Sequence, residues 1–147
     1  MRATLALVAA LTLGIAPLQA QSNDSPTAQA IRRNAPKGVS EAFFSCVSKA
    51  GSDQDKISDC ISTEKQSQDA RLNKAYGALM THLDDKSKAS VRLAERAWLE
   101  FNDKSVKAET DVGATSQTNN LDVEQAEMFR YCQQANVLEH YLFATGH

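Results

Sequence analysis

Asp69, Asn73 and Tyr76 lie close together on one helical stretch of this sequence, and Glu95 and Asp103 lie on the next. A pair of carboxylates invites glycoside cleavage, one protonating the leaving oxygen and the other acting as base or nucleophile. Such a site also needs a concave pocket to hold a sugar. A narrow helical bundle offers no evident cleft of that kind, so the sequence weighs against an enzyme. Buried together, the same residues would form a hydrogen-bonded network that fixes helix register, and that is the role expected of them.

Metal chemistry is not expected. The histidines are His82, His140 and His147, and neither a Cys-x-x-Cys nor a His-Glu-x-x-His spacing is present. No cofactor is therefore expected. His140 reads as a helix-end cation or a packed ring rather than a base. The cysteines are Cys46, Cys60 and Cys132. In an oxidising compartment these give one disulfide and one leftover thiol, and three pairings are open. Cys46 with Cys60 would close a short loop, worth about 3 kcal/mol in the chain-entropy picture. Cys132 would then be a free, buried thiol.

The stretch that must position these groups is Ala89 to Asp103. Val91, Ala94, Trp98 and Phe101 recur there at three- and four-residue steps, the stripe of an amphipathic helix. Trp98 is the single tryptophan, and the other helices are expected to pack around it. Arg92, Glu95, Arg96 and Glu100 interleave as a solvated face. Arg92 and Arg96 repel at a four-residue step, whereas Glu100 and Lys104 attract.

The remaining elements follow in order. Ser40 suits the N-cap of a short helix bearing Phe43, Phe44, Cys46 and Val47, with Gly51 as its stop. A long helix runs from Ser52 or Asp53 to Leu83. One side of it is traced by Ile57, Ile61, Glu64, Gln68, Leu72, Tyr76, Leu79 and Leu83. Asp84 to Ser87 is a turn, and the central helix runs from about Lys88 to Asp111. Val112 to Asn120 is a polar loop. Asn119 or Asn120 caps a last helix with the stripe Leu121, Met128, Cys132, Ala135, Leu138 and Leu142, ended by Gly146. No strand pattern occurs. The expected fold is all-α: an antiparallel helical bundle of one short and three long helices, with one disulfide.

Residues 1–20 read as a secretory signal peptide. Arg2 gives the positive start, Leu5 to Ile15 the apolar run, and Ala20 the small residue before the cut. No later run is long enough to span a membrane, and none is expected after cleavage. Residues 21–38 are polar, with Pro26, Pro36 and Gly38, and read as a flexible leader; residues 39–147 form the helical domain. Without the signal, fifteen basic residues face eighteen acidic ones, a net charge of minus three. The signs are mixed and no basic cluster exists, which excludes an ordinary nucleic-acid binder. Export implies a periplasmic location.

With these residues placed, the chain resembles the LprI-like lysozyme inhibitor family from about Cys46 to its C-terminus. The resemblance rests on Cys46 and Cys60, then Asp69, Leu72-Asn73 and Tyr76. It continues in Ala94-Glu95-Arg96-Ala97-Trp98 and Phe101-Asn102-Asp103. It implies that Cys46 and Cys60 are the disulfide, and that Leu72, Asn73, Tyr76, Trp98 and Phe101 are structural core positions. Glu95 stands where the family has Gln, Asn102 where it has Arg, and His140 where a late Arg is expected. Ser105 and Val106 stand near the place of a further Cys that would pair with Cys132. Gly113 and Ser116 are what remains of a Gly-Gly-Ser-like loop.

The resemblance implies inhibition of a lysozyme-type peptidoglycan hydrolase by direct binding at its active site. In some relatives the role is immunity against a secreted toxin. A lysozyme cleaves with two carboxylates in a cleft. An inhibitor needs no chemistry of its own, only donors or a cation to offer them. The expected contact residues are Gly113, Ser116, Gln117 and Thr118 in the loop, with charge from Lys104 and Lys107. The acidic start of the second helix, at Asp53, Asp55 and Asp59, is another candidate surface. The alternative reading is a structural or envelope-stress helical module with a non-hydrolase partner.

Overall fold

A computed structural model describes residues 24–113 and 117–146. Five α-helices occur among them: α1 (Pro26–Asn34), α2 (Glu41–Ala50), α3 (Gln54–His82), α4 (Asp85–Val112) and α5 (Gln117–Ala144). The all-α expectation holds, and Cys46–Cys60 is the disulfide, its Cα atoms 5.8 Å apart. The signal-peptide reading of residues 1–20 lies outside the described residues.

Local signals set the boundaries. Ser25, Ser40, Asp53 and Asp84 each accept a backbone N–H of the following first turn and so cap α1, α2, α3 and α4. Gly51, at φ +65°, stops α2. Asp84 is a cap rather than the first residue of a turn, so α4 starts three residues earlier than expected.

The leader expectation fails at α1. Ala28 is fully buried against the core of Phe43, Phe44, Val47, Ile57, Ile61 and Met128. Few apolar residues were needed because polar contacts hold the helix. Arg32 stacks 3.7 Å above the Phe44 ring and bridges Asp24 at 2.7 Å and Glu41 at 2.6 Å.

The core runs along α3 and α5. Ser58 reaches Glu124, Lys65 reaches Glu127 and Arg71 reaches Glu139, so these two helices run parallel. α4 returns antiparallel to both and packs on α5. The expected stripes are the buried ones: Ile57, Ile61, Glu64, Gln68, Leu72 and Leu79 on α3, and Met128, Cys132, Ala135 and Leu138 on α5.

Trp98 is not the hub. It is half-buried at the edge of the second cluster, edge-on to Tyr131 with centroids 5.2 Å apart. Phe101, an expected core residue, is 57 % exposed, and Asn73 is exposed as well. The inward face of α4 is Val91, Glu95, Trp98, Asn102 and Glu109, of which Asn102 alone is fully buried. Its polar members find partners on α5: Glu95 accepts from Gln134 at 2.8 Å, and Asn102 from Arg130 at 2.9 Å. A stripe chosen by hydrophobicity therefore lands one residue off, on Ala94 and Phe101.

Candidate functional site

α3 and α4 both rest on α5 but leave a gap between themselves. The gap is a groove of about 450 Å³. Asp69, Asn73 and Tyr76 line it from α3; Arg92, Glu95, Arg96 and Leu99 from α4; Leu72, Trp98 and Tyr131 form its deeper part. A bundle without a concave pocket was the expectation, and this groove corrects it. The gap exists because α4 turns charged residues toward α3, and charged side chains resist the desolvation that tight packing would require.

The expected buried network of Asp69, Asn73, Tyr76, Glu95 and Asp103 does not form. Asp69, Asn73 and Asp103 are exposed. Tyr131 lies within their electrostatic reach. Burial pushes its hydroxyl up, and the negative charges of Glu127, Asp69 and Asp103 push it further. Lys65 Nζ sits 5.4 Å from the Tyr131 ring and 2.6 Å from Glu127, bracing the ring from outside the groove.

Three features of the lining lack partners among the described residues. Arg92 and Arg96, one turn apart, form no hydrogen bond or ion pair there, and both are exposed. Further along α4, Lys104 pairs with Glu100 at 2.5 Å and Lys107 with Asp111 at 2.8 Å. Glu95 is held by Gln134 through Oε2, but its buried Oε1 accepts nothing.

The register network expected of the groove residues is built elsewhere, from residues that sequence patterning marks only as a stripe. Buried Glu64 accepts from the Ser40 backbone at 2.9 Å and from its hydroxyl at 2.6 Å. Gln68 donates to Glu64 at 2.7 Å and to the Gly38 carbonyl at 2.9 Å. Arg71 donates to Gln68 at 2.9 Å, to Asn136, and to both oxygens of Glu139 at 2.6 and 2.5 Å. Glu at 64 and Gln at 68, in otherwise apolar register, were the legible signal.

Cys132 belongs to that network. It is free and fully buried, donates to the Lys37 carbonyl at 3.5 Å, and receives Arg71 at 3.8 Å. Its contacts lie on α3 and at Lys37 rather than at Ser105 or Val106. Burial raises its pKa, more than Arg71 lowers it.

The loop residues expected to contact a partner are not brought to the groove. Lys104 and Lys107 are neutralised on α4, and Gly113 ends that helix as its C-cap. Gln117 and Thr118 begin α5, and Ser116 lies outside the described residues. Among the described residues no cluster could hold a metal, and no helix is long and apolar enough to cross a membrane.

α4 carries a second surface that sequence reasoning missed. Leu93 is 69 % exposed, Phe101 57 % and Val112 88 %. Leu93 and Phe101, with exposed Ala97 between them, form an outward apolar ridge, whereas Val112 and Ala108 border a pocket shared with Asp122, Val123 and Ala126 of α5.

The description "Lysozyme inhibitor LprI" belongs to the family whose profile matches residues 46–138, a span containing the groove, the disulfide and the α4 ridge. No curated protein and no solved structure matches the chain.

Proposed function

Since the chain belongs to the LprI lysozyme inhibitor family, we propose that it binds a lysozyme-type peptidoglycan hydrolase and occludes its active-site cleft. The observation that carries this reading is the outward ridge of α4. Leu93, Ala97 and Phe101 recur at four-residue steps on a helix whose opposite side is already packed. A convex helix with exposed apolar anchors, flanked by Glu100 and Lys104, suits insertion into a groove-shaped partner. Large apolar side chains left in water along one line mark an interaction surface.

The protein is carried to the periplasm by the signal at residues 1–20 and there meets either a host muramidase or one delivered by a competitor. In the second case it acts as an immunity protein. Binding needs no catalytic group in this chain.

The test is a cell-wall clearing assay with the mature protein in molar excess over lysozyme-type muramidases. Inhibition that rises to saturation near a fixed molar ratio is expected. Full hydrolase activity at every ratio, across several such enzymes, ends the reading. For the immunity role, cells producing the exported chain should survive a periplasmic muramidase toxin that lyses cells without it.

A further inference from the structure

We propose that the groove between α3 and α4 is a binding site for a carboxylate-bearing sugar. This goes beyond the inhibitor reading and does not rest on it, because the groove and the α4 ridge are different faces of the same helix.

Four observations meet in the groove. Its volume, about 450 Å³, lies within the range of small-ligand sites. Trp98, Tyr76 and Tyr131 supply aromatic surface, and the edge-on packing of Trp98 on Tyr131 fixes the indole at one angle. A sugar ring offers an apolar C–H face to such a surface and a rim of hydroxyls to its surroundings. That rim meets acceptors here. Asp69 has no hydrogen-bond partner among the described residues, and Asn73 offers an amide.

The α4 wall favours an acidic group, while Asp69 on the α3 wall is left for hydroxyls. Arg92 and Arg96 stand one turn apart and repel. Glu100 and Asp111 on the same helix are already taken by lysines. A ligand carboxylate between the two guanidiniums relieves the repulsion and gains charge-assisted hydrogen bonds. A neutral sugar would leave that wall unanswered. An apolar ligand would leave Asp69, Asn73 and both guanidiniums without partners.

Trp98 is the single tryptophan of the chain and lines this groove, so its fluorescence responds to ligand entry; it also borders the pocket beside Tyr141, and Arg92 and Arg96, which line the groove but not that pocket, tell the two apart. The experiment titrates the mature protein with N-acetylmuramic acid and glucuronic acid as acidic probes and N-acetylglucosamine as the neutral one, with calorimetry alongside. Saturable binding of the acidic probes is expected, weaker for the neutral one. Arg92→Ala and Arg96→Ala remove exposed, unpartnered side chains and should leave folding intact. Each should weaken acidic-probe binding by about tenfold or more.

Absence of both a fluorescence change and heat with any probe overturns the proposal. So does equal binding of neutral and acidic sugars, or acidic binding that the arginine variants leave unchanged. Loss of hydrolase inhibition in those variants without any sugar binding would assign the groove to the protein contact instead, and the sugar proposal falls. Intact sugar binding in a chain that inhibits no muramidase leaves this site standing while the inhibitor reading goes.

Discussion

Arg130 on α5 grips Glu109 on α4 with both terminal nitrogens, at 2.7 and 3.1 Å. Its Nε donates to Asn102 at 2.9 Å. This clamp is a main polar tie between α4 and the core. Asn102 is 1 % exposed, so removing the guanidinium strands a buried amide oxygen. Arg130→Ala should cost about 2–3 kcal/mol, chiefly through that stranded acceptor. Urea unfolding measures it. Glu109→Gln, at the more open end, should cost less than about 1 kcal/mol.

Gly38 crosses directly over Arg71 at φ +106°. A Cβ there would meet Arg71 Nη1 at 2.6 Å and Asn136 Oδ1 at 3.2 Å. Gly38→Ala therefore combines left-handed backbone strain with displacement of the Glu64–Gln68–Arg71 network. A loss of about 2 kcal/mol is expected, more than the roughly 1 kcal/mol of the backbone term alone. Gly77, with open space around it, is the control, and Gly77→Ala should stabilise by up to about 1 kcal/mol. Thermal unfolding of both variants checks the contrast.

Acid should loosen the contact between α3 and α5. The hydrogen bonds from Arg71 hold the Glu139 carboxyl below its usual range, against a smaller opposing effect of burial. A carboxylate with a lowered folded pKa contributes stability that is complete above its unfolded pKa and is lost as pH falls through the folded one. The loss therefore begins near pH 4.3, the ordinary glutamate value, and continues below it. Glu139 is half-exposed, so the effect is at most about 1 kcal/mol. Urea midpoints measured from pH 6 down to pH 3 should fall more steeply for the native chain than for Glu139→Gln.

The long stripes of α3 and α5 were legible because their buried positions are spaced as a helix demands, and even Glu64 and Gln68 kept that spacing. α1 was not legible, because Arg32 contacts to Asp24, Glu41 and Phe44 substitute for an apolar face. α4 misled for a related reason. It carries two apolar stripes, and the one that packs inward is the more polar of the two. Val91, Glu95, Trp98 and Asn102 only make sense once Gln134 and Arg130 are placed opposite, and those partners are 39 and 28 residues away in sequence from Glu95 and Asn102. The groove residues were visible as motif positions but not as a groove, since a gap between helices leaves no periodic trace.

Reduction should lower the melting temperature through Cys46–Cys60, which closes a loop worth about 3 kcal/mol in the chain-entropy picture. Cys46→Ser should abolish that sensitivity, whereas Cys132→Ser should leave it. Cys132 is sealed under Lys37 and Arg71, and its thiol is harder to ionise than an ordinary one. Alkylation of the native protein at neutral pH should therefore be slow and rise to the free-thiol rate only in denaturant. Prompt labelling in buffer would contradict the packing of residue 132.

The two faces of α4 can be separated by substitution. Trp98 is half-buried against Tyr131, so Trp98→Ala should cost about 1–3 kcal/mol, below the 3–5 of a fully enclosed indole. Leu93 and Phe101 touch solvent along most of their surface, so Leu93→Glu and Phe101→Glu should shift stability by no more than about 0.5 kcal/mol. If the ridge docks into a hydrolase, the same two changes put a charge at the centre of the contact and should weaken inhibition by about a hundredfold or more. Calorimetric melting and the clearing assay, run on the same preparations, read the two effects independently. Folded variants that inhibit as well as the native chain would remove the ridge from the contact, and unfolded ones would show that Leu93 and Phe101 support the bundle after all.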